Sequence, residues 1–217
     1  MNFYLYEDKK LISLIKRDKS TILDVGCGQG RYLIPLSKLG HNVIGVDIND
    51  DQIFRLKNMG YKVFNPSDFD KVDIMFDYVV MSHIIEHIEA AQLIDFLDKY
   101  LDKLQYGGKL IIATPFLYNE FYDDYDHIKP YTPKALSILY SDYKQQQAKP
   151  RHRLTLKYVW LRKWPIILHN YPGEFLFVKL WKKLLNKVFF ILYKVSLGTI
   201  SRTTGWIGVF EKIRVNS

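Results

Sequence analysis

Residues 23–30 read Leu-Asp-Val-Gly-Cys-Gly-Gln-Gly, and the apolar run Val43-Ile44-Gly45-Val46 closes on Asp47. No other feature of the chain limits its fold so tightly. An apolar strand, Thr21 to Val25, runs into glycines at 26, 28 and 30. A helix-forming stretch follows, and a second strand then ends in a carboxylate. Glycine lets the backbone turn sharply and approach a ligand that a Cβ would block. A carboxylate at the tip of the second strand can accept two hydrogen bonds from a ribose diol. Together these features describe a nucleotide-type cofactor site in a parallel α/β sheet.

The spacing is G-x-G-x-G with Asp24 ahead of it, not the G-x-G-x-x-G of a dinucleotide fold. A pyrophosphate favours a bare helix N-terminus, where N–H groups and the dipole attract negative charge. An acidic neighbour opposes that and suits a cationic ligand carrying an amino group. Here the chain resembles the class I S-adenosylmethionine-dependent methyltransferases, whose signature is an acidic-x-G-x-G-x-G loop. The likeness runs from Thr21 to Pro150. It takes in Asp47 after the second strand and Asp68 after the third. Phe76-Asp77-Tyr78-Val79-Val80 is the fourth strand, and Tyr106-Gly107-Gly108-Lys109-Leu110-Ile111-Ile112 the turn and fifth strand. Met81-Ser82-His83-Ile84-Ile85-Glu86-His87-Ile88 also looks like that family. The stretch Asp126 to Pro133 is similar to one common in its small-molecule and glycan members.

The resemblance implies a Rossmann-like α/β fold: a seven-stranded, mostly parallel sheet, its last strand antiparallel, with helices on both faces. It implies S-adenosylmethionine as cofactor. Gly26, Gly28 and Gly30 would cradle the methionine part, with Asp24 near its amino group. Asp47 would hold the ribose hydroxyls. Asp68 would face the adenine amino group, with Ile48 and Phe69 against the ring.

The rest of the chain reads as one methyltransferase domain, 1–217, with a basic insertion at 150–203. Helices are expected near 6–18, 30–39, 50–58, 89–104 and 133–141. Strands are expected near 21–26, 42–47, 62–65, 76–82, 109–114 and 143–149, and a last one over 206–213. Thr132 before Pro133 reads as a helix N-cap with proline at the first position. Cys27 is the single cysteine, so no intrachain disulfide forms. The start, Met-Asn-Phe-Tyr-Leu-Tyr-Glu-Asp, lacks the pattern of a signal peptide, and a cytoplasmic site of action is expected.

Four residues on two neighbouring strand ends carry the candidate chemistry. His83, Glu86 and His87 follow the fourth strand, and His127 follows the fifth. Ligands bind at the carboxyl edge of such a sheet. An imidazole there suits a general base that takes a proton from a hydroxyl under attack on a methyl group. His83 and His127 are the base candidates. A zinc-peptidase reading of His-x-x-Glu-His fails for want of the surrounding fold. Small-RNA 2′-O-methyltransferases, which this segment also resembles, place Glu-x-x-Glu-His and later histidines around a metal. His83 stands where their first Glu would be, and no metal is assigned. A third reading gives Glu86 and His87 only a positioning role.

The net charge of +8 is unevenly spread: the span 150–203 holds eleven Lys or Arg against one acid, Glu174. Within it, 175–197 winds as an amphipathic helix. Lys179, Lys182, Lys183, Lys187 and Lys194 share one arc, and Leu180, Trp181, Leu184, Leu185, Val188, Ile191, Leu192 and Val195 the other. Lysine interrupts it too often for a bilayer span. It fits a helix lying in the headgroup region of an anionic membrane surface, or one packed on the core or a second subunit. Trp160, Arg162, Lys163 and Trp164 could meet a nucleic acid, but the apolar face is ill suited to a phosphate groove. The chain is therefore expected to be an O-methyltransferase. Its acceptor is a small molecule, lipid or lipid-linked glycan, and the enzyme is peripheral at the inner membrane. An RNA methyltransferase and a non-catalytic cofactor-binding adaptor are the alternatives.

Overall fold

Alternating apolar side chains on strands buried from both sides build the sheet. A computed structural model describes residues 3–16, 18–141 and 149–214. The strands are β1 (Thr21–Val25), β2 (Asn42–Val46), β3 (Lys62–Phe64), β4 (Phe76–Ser82), β5 (Leu104–Pro115), β6 (Arg153–Trp164) and β7 (Arg202–Ile213). They form one seven-stranded, mostly parallel sheet in the order β3-β2-β1-β4-β5-β7-β6, with the last strand antiparallel. Leu23, Val25, Ile44, Val46, Val79 and Met81 enter the core on one face. Ile22, Val43, Tyr78, Val80 and Ile111 enter the core on the other. Both faces are therefore dry, as near-continuous apolar strands require.

The helices are α1 (Phe3–Ser13), α2 (Leu33–Lys38), α3 (Asp50–Asn58), α4 (Pro66–Phe69), α5 (Leu93–Leu101), α6 (Pro133–Leu139) and α7 (Leu176–Val195). Several are shorter than expected. The expected 30–39 helix starts only at Leu33, because Gly30 has φ 88° and belongs to the turn. The expected 89–104 helix ends at Leu101, since Leu104 already begins β5. Thr132 does cap α6, accepting from the Ala135 N–H at 3.1 Å, with Pro133 at its first position.

The strand expected at 143–149 falls, but for Lys149, outside the described residues. The sixth strand of the sheet is Arg153–Trp164, twelve residues inside the block read as insertion. The contacts divide the chain into two units, Met1–Trp160 with Trp206–Ser217, and Leu161–Gly205. The second unit contains α7.

Register decides where the site falls. Val25 pairs with Val46 on one side and Met81 on the other, and Ser82 with Ala113. Gly26, Asp47, His83 and Thr114 therefore leave the sheet at one edge. β2 and β4 flank β1 on opposite sides, so the chain reverses its winding at β1, the position where such sheets open a ligand crevice.

Candidate active site

A cavity of about 720 Å³ opens at that edge, lined in part by Gly26, Asp47, Ile48, His83 and His87. Gly26 has φ 68°, and a Cβ there would fall 2.0 Å from Ile84 Cδ1, so only glycine lets the loop and the residue after His83 close together. Gly28 has φ 48° with nothing within 4 Å of where a Cβ would stand, which leaves open space against bare backbone. The Asp47 carboxylate, 9% exposed, joins loop and strand. Its Oδ2 accepts from the Gly28 N–H at 2.6 Å and its Oδ1 from the Asn49 N–H at 2.9 Å. Ile48 beside it is 86% exposed and supplies an apolar face at the rim.

Other residues read as cofactor contacts lie elsewhere. Asp24 is buried and its Oδ2 accepts from the Leu33 N–H at 2.9 Å, so it caps α2 beneath the loop and is not part of the cavity lining. Burial raises its pKa to about 7. Asp68 is exposed in the first turn of α4. It pairs with Lys71 at 3.1 Å, and the lysine holds its pKa below the ordinary carboxylate value. Phe69 is in the core against Phe76 and Tyr100 and is not part of the cavity lining. Pro66, Phe96 and Tyr100 line that part of the wall instead.

His83 sits in an unusual position for a side chain expected to act as a base. Its φ is 56°, a left-handed backbone rare outside glycine. Nε2 is 2.9 Å from Glu7 Oε1 on α1, and Nδ1 is 3.2 Å from Glu86 Oε1. Burial alone would pull the imidazolium's pKa down, but the two carboxylates outweigh it and raise it to about 9. Both nitrogens face carboxylates at neutral pH, so His83 has no lone pair to offer a substrate.

Glu86 is fully buried. Its Oε2 accepts from Thr114 Oγ1 at 2.9 Å, and its backbone carbonyl accepts from Ile128 N–H at 2.8 Å and Lys129 N–H at 3.2 Å. It therefore ties the end of β5 and the loop after it to the turn at 85–87. His87 lines the cavity, with Nδ1 3.1 Å from the Asp126 carbonyl. His127 has Nδ1 2.6 Å from the Phe121 carbonyl and Nε2 3.7 Å from Asp124 Oδ2. A carbonyl only accepts, so Nδ1 is the donor in each ring; His127 Nε2 faces the Asp124 carboxylate, which leaves His87 Nε2 as the nitrogen that a hydroxyl could use. The rings stand 4.9 Å apart. Ligand atoms of Glu86, His87 and His127 lie within 4.8 Å of one another, a donor set of the kind that holds a divalent ion.

The sequence reading expected a helix near 6–18, found here as α1, but missed what its acids do. Glu7, 1% exposed, reaches His83 and Arg31, while Asp8 Oδ1 takes Arg31 Nε at 2.6 Å and the Tyr32 hydroxyl at 2.9 Å. Two adjacent acids thus fasten the glycine loop and the end of β4 to one helix. A signal was present: Glu7, Leu11 and Ile15 are four residues apart, and all three are buried. A carboxylate on the buried stripe of a helix needs a partner inside.

Glycine loop, strand-end carboxylate and sheet order together define a class I S-adenosylmethionine-dependent methyltransferase. The chain belongs to the methyltransferase domain family, whose sequence model matches residues 3–155. The human mitochondrial ubiquinone biosynthesis O-methyltransferase is 35% identical over 105 residues, 43% of this chain and 28% of that protein. The Nitrobacter winogradskyi ubiquinone biosynthesis O-methyltransferase is 32% identical over 101 residues, 43% of this chain and 38% of that one. The match covers about a third of the length of these relatives. A SAM dependent methyltransferase from Archaeoglobus fulgidus shares the fold, with a TM-score of 0.61 and 21% identity over 98% of this chain and all of that one. S-adenosylmethionine is the family's cofactor, and the residues here fit it. The bare backbone at Gly26 and Gly28, Asp47 beside them and apolar Ile48 suit a ligand with a sulfonium, a ribose and a ring.

Proposed function

We propose that the protein methylates a hydroxyl oxygen on a small, largely apolar acceptor, a lipid or lipid-linked glycan met at the cytoplasmic face of an anionic membrane. When bound, S-adenosylmethionine supplies an electrophilic methyl group. Gly26, Gly28, Asp47 and Ile48 would hold it. His87 accepts the proton of the acceptor hydroxyl on Nε2, because the Asp126 carbonyl fixes the other nitrogen as the donor. Glu86 acts through position, anchoring the loop that carries Asp126 and His127. Apolar lining by Ile84, Ile88, Phe96 and Ile128 supports a greasy acceptor. The exposed amphipathic segment 175–197 supports a membrane location. The ubiquinone biosynthesis O-methyltransferases that the chain resembles support transfer to oxygen. The observation that carries the reading is that Asp47, Gly26 of the glycine loop and His87 line one cavity.

The test is methyl transfer from labelled S-adenosylmethionine into a membrane lipid extract. A His87→Ala change should lower turnover by about 10²–10⁴-fold, the usual worth of a general base, with cofactor binding kept. Equal turnover in the variant would remove His87 from the reaction.

The convergence of Glu86, His87 and His127 favours a second reading, in which a divalent ion on these three residues acidifies the hydroxyl. Dialysis against a chelator separates the two. Activity that survives supports the base. Activity lost and restored by a divalent salt supports the ion.

A further inference from the structure

α7 buries none of its residues, although half of it is large and apolar. No helix among the described residues is long and apolar enough to cross a membrane. Its cations fall into two groups. Lys182 is used internally: it pairs with Glu174 and donates to the His169 carbonyl at 2.8 Å. Asn186 exchanges two hydrogen bonds with the Leu168 backbone, at 2.7 and 2.9 Å. These contacts strap residues 168–174 along the helix. Lys179, Lys183 and Lys187 recur every four residues, a row about 12 Å long at the helical rise. None of the three has a carboxylate within ion-pair distance among the described residues.

The row borders a groove of about 680 Å³ that Leu180, Phe190 and Ile191 also line. Leu180 and Ile191 are more than half exposed. Three cations with no ion pair among the described residues, set against apolar side chains open to solvent, make a surface with two requirements. It needs phosphate-type anions spaced along a line and hydrocarbon beside them. An anionic bilayer meets both: lysines near its surface contribute through its potential, and apolar side chains through burial.

We infer that this face of α7 is a binding site for lipid phosphates, with Lys179, Lys183 and Lys187 on the headgroups and Leu180 and Ile191 in the acyl boundary. The inference names the contact residues for the membrane location proposed above and rests on that location. It does not depend on the identity of the methyl acceptor.

The experiment is co-sedimentation of the full chain with phosphatidylcholine vesicles, and with vesicles containing about one third phosphatidylglycerol. Wild-type protein should bind the anionic vesicles, and salt should weaken that binding. The combined Lys179→Gln, Lys183→Gln and Lys187→Gln variant should lose on the order of 100-fold in affinity. Leu180→Ser with Ile191→Ser should lose binding too, which a purely electrostatic contact would not. Calorimetry of the lysine variant with S-adenosylmethionine should match wild type, so that loss of vesicle binding is not loss of the fold or of the methyltransferase reading. Binding to neutral and anionic vesicles alike, or no loss in the lysine variant, would overturn the inference. So would inorganic phosphate displacing the protein from vesicles at low millimolar concentration (a free-phosphate site), or self-association that Leu180→Ser abolishes (a second copy as occupant).

Discussion

His83 concentrates the site's constraints on one residue: a left-handed backbone, a carboxylate at each nitrogen and a place in the cavity wall. Its pKa is raised from 6.5 to about 9, so its bound proton stabilises the fold fully below about pH 6.5 and progressively less as pH rises through 9. Wild-type protein should therefore melt several degrees lower at pH 9.5 than at pH 6.5, at about 2–4 °C per kcal/mol. Glu7→Gln should flatten that dependence, because one of the two carboxylates is gone; an unchanged slope would place the titration elsewhere. Gly26→Ala should cost about 1–3 kcal/mol in urea denaturation, from the left-handed φ and the displaced Ile84. At this scale the glycines and Asp47 were legible because backbone freedom and strand-end charge are local properties. The Glu7 partnership was not, because 76 residues separate it from His83. The core position of Phe69 was hidden for a related reason. Which side of a short turn faces the cavity depends on packing against Phe76 and Tyr100.

The parallel strands β1, β2 and β4 could be read from the sequence because each is apolar on both faces and ends in a recognisable turn. The sixth strand could not. Arg153, Lys157, Arg162 and Lys163 punctuate Arg153–Trp164, and most of it is exposed or half-buried, so it read as part of the basic block. Helix starts were misplaced where the cap is distant in the chain. α2 begins after the Gly30 turn, and the buried Asp24 carboxylate accepts the N–H of its first residue, Leu33. Asp24→Ala should then cost about 1–2 kcal/mol of stability, the usual range for a lost cap, and Asp24→Asn much less, since an amide oxygen still accepts. Equal losses in the two variants would mean that the carboxylate's charge, and not its hydrogen bond, is what the loop needs. α7 was found from its period alone. Its exposed apolar face shows why an amphipathic pattern locates a helix without saying what covers it.

On the scale of the whole molecule, the net positive charge concentrates in the unit 161–205, with eight Lys or Arg against Glu174, while the cavity is bordered by Asp47, Asp126 and, behind its wall, Glu7 and Glu86. An acidic surround suits a cationic sulfonium, and a basic apolar helix suits an anionic surface, so charge separates the two tasks along one chain. The central claim is that this cavity binds S-adenosylmethionine through the glycine loop and Asp47. Calorimetric titration of the full chain with S-adenosylmethionine, alongside Asp47→Ala, tests it most directly. Saturable one-to-one binding by wild type, weakened at least tenfold in a variant that still melts cooperatively, is the predicted result. No binding by folded wild-type protein, or equal binding by the two, would contradict it.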